Sequence, residues 1–314
     1  MQSWVDHNDM IVTGQRFMQR ACPITRVHAS KLSAREFASY ANANEPLLIE
    51  GAASSWPALQ RWVEPDYLPK IVGDQEINYY PHINYQTVER HHDRRERVKF
   101  GVAFARLRDA ATKVGAAAWP INSIPGFTAP DHLYETLKAD IPGFAFLPLS
   151  SRPITYPRWR GLLSRNAGTG WHFHPVDCTL MVQIAGVKTV GLLPPDRETF
   201  ETVHETFLSD GYFDDGDALG DAGASLAPRI AVIGVGDALF IPPYWWHGVQ
   251  ANPGFGITVP YCWRSPLHVI GALGQPANRY LRKTIAANWR KREHLRATTL
   301  FAVGVAAAFP RLFR

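Results

Sequence analysis

Short apolar segments separated by glycine and proline recur through the second half of the chain. They predict strands near residues 159–165, 171–174, 179–184, 187–193, 230–233, 238–241 and 255–262. Short strands at close intervals are typical of a β-sandwich or barrel. No internal repeat or low-complexity linker interrupts the pattern. We therefore expect one large β-domain with flanking helices.

The first half of the chain mixes helical and strand patterns. Ser33 and Glu36 have the spacing of a capping box, which predicts a helix that begins at Ala34. The pattern further predicts helices over 61–72 and 100–111, and strands over Leu47–Ile49 and 75–80. Residues 116–160 are rich in proline and predict a long irregular segment, and segments of this kind often serve as functional loops or lids.

The composition indicates a soluble chain with an ample core. The chain has 314 residues, of which 46% are hydrophobic. Its three cysteines, Cys22, Cys178 and Cys262, are dispersed and show no disulfide framework, so we expect a reducing, cytoplasmic location. The charged start, Met1–Asp9, predicts no signal peptide. The longest apolar run, 297–310, is too short to span a bilayer.

Charge is concentrated at the C-terminal end. Nine lysines and arginines and one glutamate lie between Gln275 and Arg314, against a formal net charge of +5 for the whole chain. We therefore divide the chain into a β-domain over 1–275 and a basic helical region over 276–314. Helical spacing there predicts an apolar stripe, which suits a homodimer, a membrane surface or an acidic partner; its members are Tyr280, Leu281, Ile285, Trp289 and Leu295. No nucleic-acid motif accompanies the basic residues, so nucleic acid is not the expected partner.

Three histidines are the strongest candidates for chemistry. His172 and His174 are two residues apart, so in a strand they share one face. His247 follows a second strand pattern far along the chain. A single such histidine is more often a core residue, but a pair with a third imidazole favours a metal site with open coordination positions.

The residues before His247 define its surroundings. Gly236 and Asp237 predict a tight turn, Ala238–Ile241 a buried strand, and Pro242 its end. Trp245 and Trp246 predict a dry wall beside the histidine.

Other polar residues are weaker candidates for metal binding. His91–His92 suits a metal or a solvated loop, and Asp210–Asp221 lacks calcium-loop spacing and predicts a hydrated loop. Asp177 is an alternative carboxylate ligand or a solvated turn residue.

These motifs carry a family resemblance. The segments Gly168–Pro175, Gln183–Pro195 and Gly236–His247 resemble the jumonji-type (JmjC), cupin-like Fe(II)/2-oxoglutarate oxygenases, in particular the jumonji lysyl hydroxylases that act on proteins. The entry segment Glu45–Trp62 is similar as well, so the resemblance covers roughly residues 27–265. It implies an all-β core with flanking helices, folded as a double-stranded β-helix (jelly roll), followed by C-terminal helices that form a homodimer.

The resemblance also implies roles for individual residues. His172 and His247 match metal ligands directly, whereas His174 stands where the family has Asp or Glu. Lys188 matches the cation that holds the far carboxylate of 2-oxoglutarate, and Thr169 matches a hydrogen-bond donor to it. The implied function is hydroxylation of a protein side chain or a small molecule.

Two alternatives stay open. A three-histidine cupin-type dioxygenase would use no 2-oxoglutarate, and a catalytically silent protein on the same scaffold would only bind. Lys188 favours the 2-oxoglutarate enzyme, and His174 favours the three-histidine dioxygenase.

Overall fold

The computed structural model describes residues 20–81, 96–119, 137–147, 153, 158–174, 177–196, 198–199, 226–251 and 253–264, with isolated positions between 286 and 298. The His91–His92 pair, the Asp210–Asp221 run and most of the basic C-terminal region lie outside these residues. Within the C-terminal region, the side chains of Trp289 and Leu295 are exposed. Among the described residues, no helix combines the length and the apolar character needed to cross a bilayer.

The described chain is mostly β-structure. Its strands, in chain order, are β1 (Cys22–Pro23), β2 (Arg26–His28), β3 (Leu47–Glu50), β4 (Glu76–Pro81), β5 (Glu96–Lys99), β6 (Gly115–Trp119), β7 (Gly161–Arg165), β8 (Thr169–His172), β9 (Asp177–Ala185), β10 (Lys188–Leu193), β11 (Arg229–Ile233), β12 (Ala238–Ile241), β13 (Trp246–Ala251) and β14 (Phe255–Arg264).

Two sheets pack face to face. The larger has the order β2-β3-β12-β9-β14-β7-β6-β4-β5, and the smaller has the order β1-β11-β10-β13-β8. The inner faces meet in an apolar layer that includes Leu48, Met181, Val190, Leu192 and Leu239. Two packed sheets, in which adjacent strands come from distant parts of the sequence, are the arrangement expected of a jelly roll.

A second core covers the outer face of the larger sheet, because alternate residues of its strands point away from the inner layer. Leu180 and Val182 of β9 and Phe240 of β12 face outward and pack against Phe37 and Trp56. Phe37 lies on α1 (Ala34–Ala43), whose N-cap Ser33 forms both hydrogen bonds of the predicted capping box with Glu36.

The helix predicted over 61–72 is two short helices instead. These are α2 (Ala58–Arg61) and α3 (Tyr67–Val72). Pro65 lies in the break; it lacks the N–H that a continuous helix needs there. The fourth helix, α4 (Phe100–Arg108), agrees with the predicted one.

Most predicted strands of the second half are present with shifted ends, but three differences matter. The strand predicted over 171–174 is β8, which ends at His172 and leaves His174 beyond it. His247 lies within β13, a strand that the pattern of residues did not predict. The segment predicted to be irregular over 116–160 contains most of β6.

Candidate metal centre

The centre is built on the smaller sheet, where three strands align side by side. In the pairing of β13 with β8, His247 is opposite His172, and in the pairing of β13 with β10, His247 is opposite Leu192. Residues opposite each other in adjacent strands share a face. Leu192 belongs to the apolar layer between the sheets, so both histidines face the interior.

His174 reaches the same point from beyond the end of β8. Its Nε2 lies 3.2 Å from the Nε2 of His172. The ring centroids of His172 and His247 are 4.2 Å apart, and those of His174 and His247 are 5.1 Å apart. One nitrogen from each of the three rings lies within 4.8 Å of the others, a cluster that could hold a metal ion. The three predicted ligands are therefore brought together, although the chain turns out of the strand between the first two.

The loop between β12 and β13 contacts two of the three histidines. The N–H of Tyr244 donates to the carbonyl of His174 at 2.9 Å. The Nδ1 of His247 is 2.9 Å from the carbonyl oxygen of Trp245, so Nδ1 carries the proton and Nε2 is left to face the cluster. Trp245 and Trp246 are buried, as predicted for apolar side chains that shield the histidine from water.

Burial keeps the imidazoles of His174 and His247 neutral. The pKa of His174 is well below its usual range because of desolvation first, and then because of the charges of His172, His247 and Arg160. Desolvation also lowers the pKa of His247, with a further contribution from His172, while the hydrogen bond to Trp245 opposes it. Neutral imidazoles are the form that binds a metal.

Lys188 is buried, with 3% of the residue exposed, although it is a charged residue. It lies on the same face of β10 as Val190, within the inner layer. Desolvation lowers its pKa from 10.5 to about 8. Among the described residues, no carboxylate lies within ion-pair distance of it.

Thr169 faces the same interior. It is opposite Val249 of β13, which is in turn opposite Val190. Its Oγ1 is buried and has no hydrogen-bond partner in the described part of the chain. A buried amine without a counter-charge and a buried hydroxyl without a partner are costly on their own. Together they fit the carboxylate of a ligand that extends into the sheet from the histidines.

The motif glycine before Thr169 permits close packing of β8 on β13. A Cβ atom at Gly168 would lie 2.0 Å from the carbonyl oxygen of Val249, which is impossible without moving the strand. Glycine is therefore required where the chain enters β8, and this close approach positions both Thr169 and His172.

Asp177 fits neither of its predicted readings. It is 1% exposed and lies at the start of β9, so it is not a solvated turn residue. It is not a member of the histidine cluster either, since among the described residues that cluster contains only His172, His174 and His247. The carboxylate lies instead near Cys262, whose pKa burial raises to about 11. Cys178 and Cys262 are both buried, as expected of core residues.

A model of the cupin-like domain matches residues 33–268, most of the chain. The chain belongs to the cupin-like family. All three histidines of the cluster lie within the matched residues. The sequence resemblance to that family is thereby confirmed.

The similar proteins are distant from this chain in sequence. Over 253 residues the chain is 22% identical to a jumonji C domain-containing protein 5 of Drosophila melanogaster, covering 76% of this chain and 59% of the relative. It is 26% identical over 266 residues to an arginine-specific demethylase (JMJ22) of Arabidopsis thaliana, covering 81% and 49%. A lysine-specific demethylase (JMJ21) of the same plant is 25% identical over 256 residues, covering 72% and 24%. The chain thus spans less than two thirds of the length of each of these relatives.

Two residues of the site were missed from the sequence alone. Tyr244 has a φ of 66°, in the left-handed region, and nothing in its residue type indicates that conformation. Arg160 acts electrostatically on His174, but it lies where the predicted irregular segment 116–160 meets the strand predicted near 159–165, and neither pattern links it to the histidines.

Proposed function

We propose that the protein is an Fe(II)- and 2-oxoglutarate-dependent oxygenase of the jumonji type, in which His172, His174 and His247 hold the iron. The observation that carries this proposal is the buried Lys188, which has no ion-pair partner among the described residues and shares an inner face with the histidine-bearing strand. The unpartnered Oγ1 of Thr169 supports it, since one carboxylate would accept hydrogen bonds from both groups.

The residues that bind 2-oxoglutarate and those that hold the metal lie at different positions along the interior between the sheets. Lys188 and Thr169 bind the far carboxylate of 2-oxoglutarate, and the keto acid end then lies toward the histidines. Bound iron and 2-oxoglutarate supply the oxidation of a C–H bond by oxygen. The protein holds His174 and His247 neutral, orients His247 through the carbonyl of Trp245, and excludes water with Trp245 and Trp246.

The experiment is a titration of 2-oxoglutarate into the Mn(II)-loaded protein without oxygen, followed by calorimetry. Binding in the wild type, and its loss in Lys188→Ala, is the expected result. Arg26→Ala is the control, because Arg26 pairs with Glu50 on the exposed outer edge and lies outside the site. A metal-loaded wild type that binds no 2-oxoglutarate contradicts the proposal.

One observation favours a second function. His174 brings a third neutral imidazole to the cluster, the ligand set of a cupin-type dioxygenase that binds its substrate directly to iron. That enzyme would release no succinate, and Lys188→Ala would leave its activity nearly unchanged. A catalytically silent binding protein would hold neither metal nor 2-oxoglutarate, so metal content and succinate release distinguish the three.

We extend the proposal to the rest of the chain. The substrate is a protein side chain or a small molecule, and the names of the relatives support oxidation at the level of the family without identifying it. Residues 1–275 form the catalytic domain, 276–314 form helices that join a cytoplasmic homodimer, and nucleic acid is not the partner. Sedimentation of the full chain, compared with a chain ending at 275, tests the dimer; a monomeric full chain at high concentration contradicts it.

A further inference from the structure

The strand β8 has one residue more than its neighbour β13 along the stretch where the two strands pair. His172 is opposite His247, and Thr169 is opposite Val249. The two paired residues are three positions apart on β8 but only two positions apart on β13, and the register shifts between them. An extra residue on one strand of an antiparallel pair is a β-bulge. Bulges are common beside active sites, where they re-aim a side chain.

The bulge decides the direction in which two candidate site residues point. In a regular strand, residues at the spacing of Thr169 and His172 point to opposite faces of the sheet. Their partners on β13 are two positions apart and share the inner face, so the extra residue turns both Thr169 and His172 toward the interior. A strand β8 without the bulge could not place both residues, at this spacing, on the same side.

The indole of Trp171 lies against the backbone of Gly248 at the bulge. A Cβ atom at Gly248 would be 2.9 Å from Cε2 and 3.0 Å from Nε1 of the indole, so the ring occupies the space that a side chain would need. Gly248 follows His247 directly, and successive residues of a strand point to opposite faces, so this contact is on the outer face of the smaller sheet. Trp171 is fully buried. A large flat ring therefore packs on the side of the strand pair that faces away from the histidines.

We propose that Trp171, packed on Gly248, holds the bulge in place and thereby positions His172 and Thr169 toward the interior. The inference rests on the proposed function, since it takes His172 as a metal ligand and Thr169 as a donor to 2-oxoglutarate. Trp171 and Gly248 are positioning residues, because their contact lies on the opposite face of the strand pair. Protein interiors are close-packed, so a displaced indole also moves the strand that carries it.

The test adds one methyl group beneath the indole. Gly248→Ala places a Cβ atom too close to the ring, so we expect Trp171 to shift and the bulge to shift with it. The dissociation constant for Mn(II) should rise about tenfold to a hundredfold, as it does when other contacts that orient metal ligands are lost. The visible absorption of the Co(II)-loaded protein should change as well, because His172 then meets the metal at a different angle. A purely structural role would lower stability and leave this spectrum unchanged.

Gly101→Ala is the matched control. It adds the same methyl group in α4, where the nearest atom to the new Cβ would be 3.5 Å away, an ordinary contact distance. Its Mn(II) affinity should equal that of the wild type. Two changes at Trp171 decide the question even if Gly248→Ala does not fold. Trp171→Phe keeps a flat ring on Gly248 and should bind Mn(II) more tightly than Trp171→Leu, which has no ring.

A double-mutant cycle tests the link between the bulge and Thr169. The affinity for 2-oxoglutarate is measured by calorimetry at saturating Mn(II) without oxygen. Thr169→Ala should weaken this binding in the wild-type background. In the Gly248→Ala background the same change should have little further effect, because the hydroxyl of Thr169 has already been displaced.

Three results overturn the inference. The first is wild-type Mn(II) affinity in Gly248→Ala, and the second is an equal effect of Thr169→Ala in the two backgrounds. The third is equal Mn(II) affinity in Trp171→Phe and Trp171→Leu. A wild type that binds neither Mn(II) nor 2-oxoglutarate contradicts the proposed function itself, and the inference then falls with it.

Discussion

The backbone N–H of Tyr244 donates a hydrogen bond to the carbonyl oxygen of His174, 2.9 Å away. One residue later, the carbonyl of Trp245 accepts from the Nδ1 of His247. A single loop therefore orients two of the three candidate ligands. It does so with Tyr244 at a φ of 66°, an uncommon conformation for a bulky residue and one that the surrounding contacts must enforce.

Replacing Tyr244 by valine should weaken metal binding. A β-branched side chain strongly disfavours the left-handed region, so the loop shifts and the hydrogen bond to His174 is lost. Loss of contacts that orient metal ligands typically lowers affinity about tenfold to a hundredfold. The dissociation constant for Mn(II) measures the effect. Tyr244→Phe, which keeps the ring, should bind like the wild type, and equal affinity in the valine variant would show that the loop does not orient the ligands.

Removing His247 should abolish metal binding. Its Nε2 faces the cluster, and the described residues offer no fourth ligand to replace it. We expect about one Fe(II), Mn(II) or Ni(II) per chain in the wild type, with nitrogen ligands at about 2.0–2.2 Å. Elemental analysis of His247→Ala should find no bound metal. His294→Ala is the control, since His294 contacts Trp289 in the C-terminal region. An unchanged metal content in His247→Ala excludes the assignment.

Replacing Lys188 by methionine should stabilise the ligand-free protein while it removes 2-oxoglutarate binding. Lys188 is charged in the unfolded chain up to about pH 10.5, but its pKa in the folded protein is about 8. Below pH 8 it is charged in both states, and burial of the charge costs about 3 kcal/mol. The free energy of unfolding in the variant should be higher by about 1–3 kcal/mol at pH 7.

The pH dependence provides the check on this explanation. Between pH 8 and 10.5 the unfolded wild-type chain binds more protons than the folded chain, so stability rises with pH across this interval. Urea denaturation at several pH values should show that rise in the wild type and not in Lys188→Met. A variant less stable than the wild type at pH 7 would mean that Lys188 has a structural counter-charge.

His174→Asp should keep 2-oxoglutarate turnover. The change restores the carboxylate that the family has at this position, and lowers the positive charge at the metal by one unit. Succinate release per chain should equal or exceed that of the wild type. A three-histidine dioxygenase would instead lose activity in His174→Asp and hardly respond to Lys188→Ala, so the pair of variants separates the two functions.

The buried carboxylate of Asp140 should matter for stability and not for metal binding. It accepts hydrogen bonds from the Arg61 guanidinium, the Trp62 Nε1 and the Tyr67 hydroxyl at 2.8–2.9 Å. Asp140→Ala leaves these donors without an acceptor and should lower the free energy of unfolding by about 2–4 kcal/mol. Asp74→Ala is the matched control. Its ion pair with Lys99 has the same 2.8 Å length but is exposed to solvent, so Asp74→Ala should leave the free energy of unfolding nearly unchanged.

The sequence predicted those elements whose residues carry a local signal. The helix from Ala34 begins at the capping box because both of its hydrogen bonds are local. The strand Ala238–Ile241 lies where expected, since a turn at Gly236, with φ 86°, precedes it and prolines follow. The strand β13 was missed because its apolar and polar residues do not alternate clearly, and only its pairing with β8 and β10 makes it a strand.

The candidate site also combines residues with a local sequence signal and contacts that form only on folding. His172, His174 and His247 could be named from residue type and spacing, and they converge. The reason given for the first pair was incomplete, since His174 lies beyond β8 and reaches the cluster through the Tyr244 contact. That contact, and the burial of Asp177, depend on strands that meet only in the folded chain, so no local pattern reveals them.

The strand β8 lies at the edge of the smaller sheet and pairs with β13 alone among the described strands. Four residues long and irregular in its register, it is held by few backbone hydrogen bonds, and a short edge strand of this kind opens easily. A metal bound by both His172 and His247 would link this strand to β13, which lies beyond four other described strands along the chain. Metal loading should therefore slow amide hydrogen exchange over 169–172 more than over β9 or β14, so a metal at this centre would also stabilise a short edge strand.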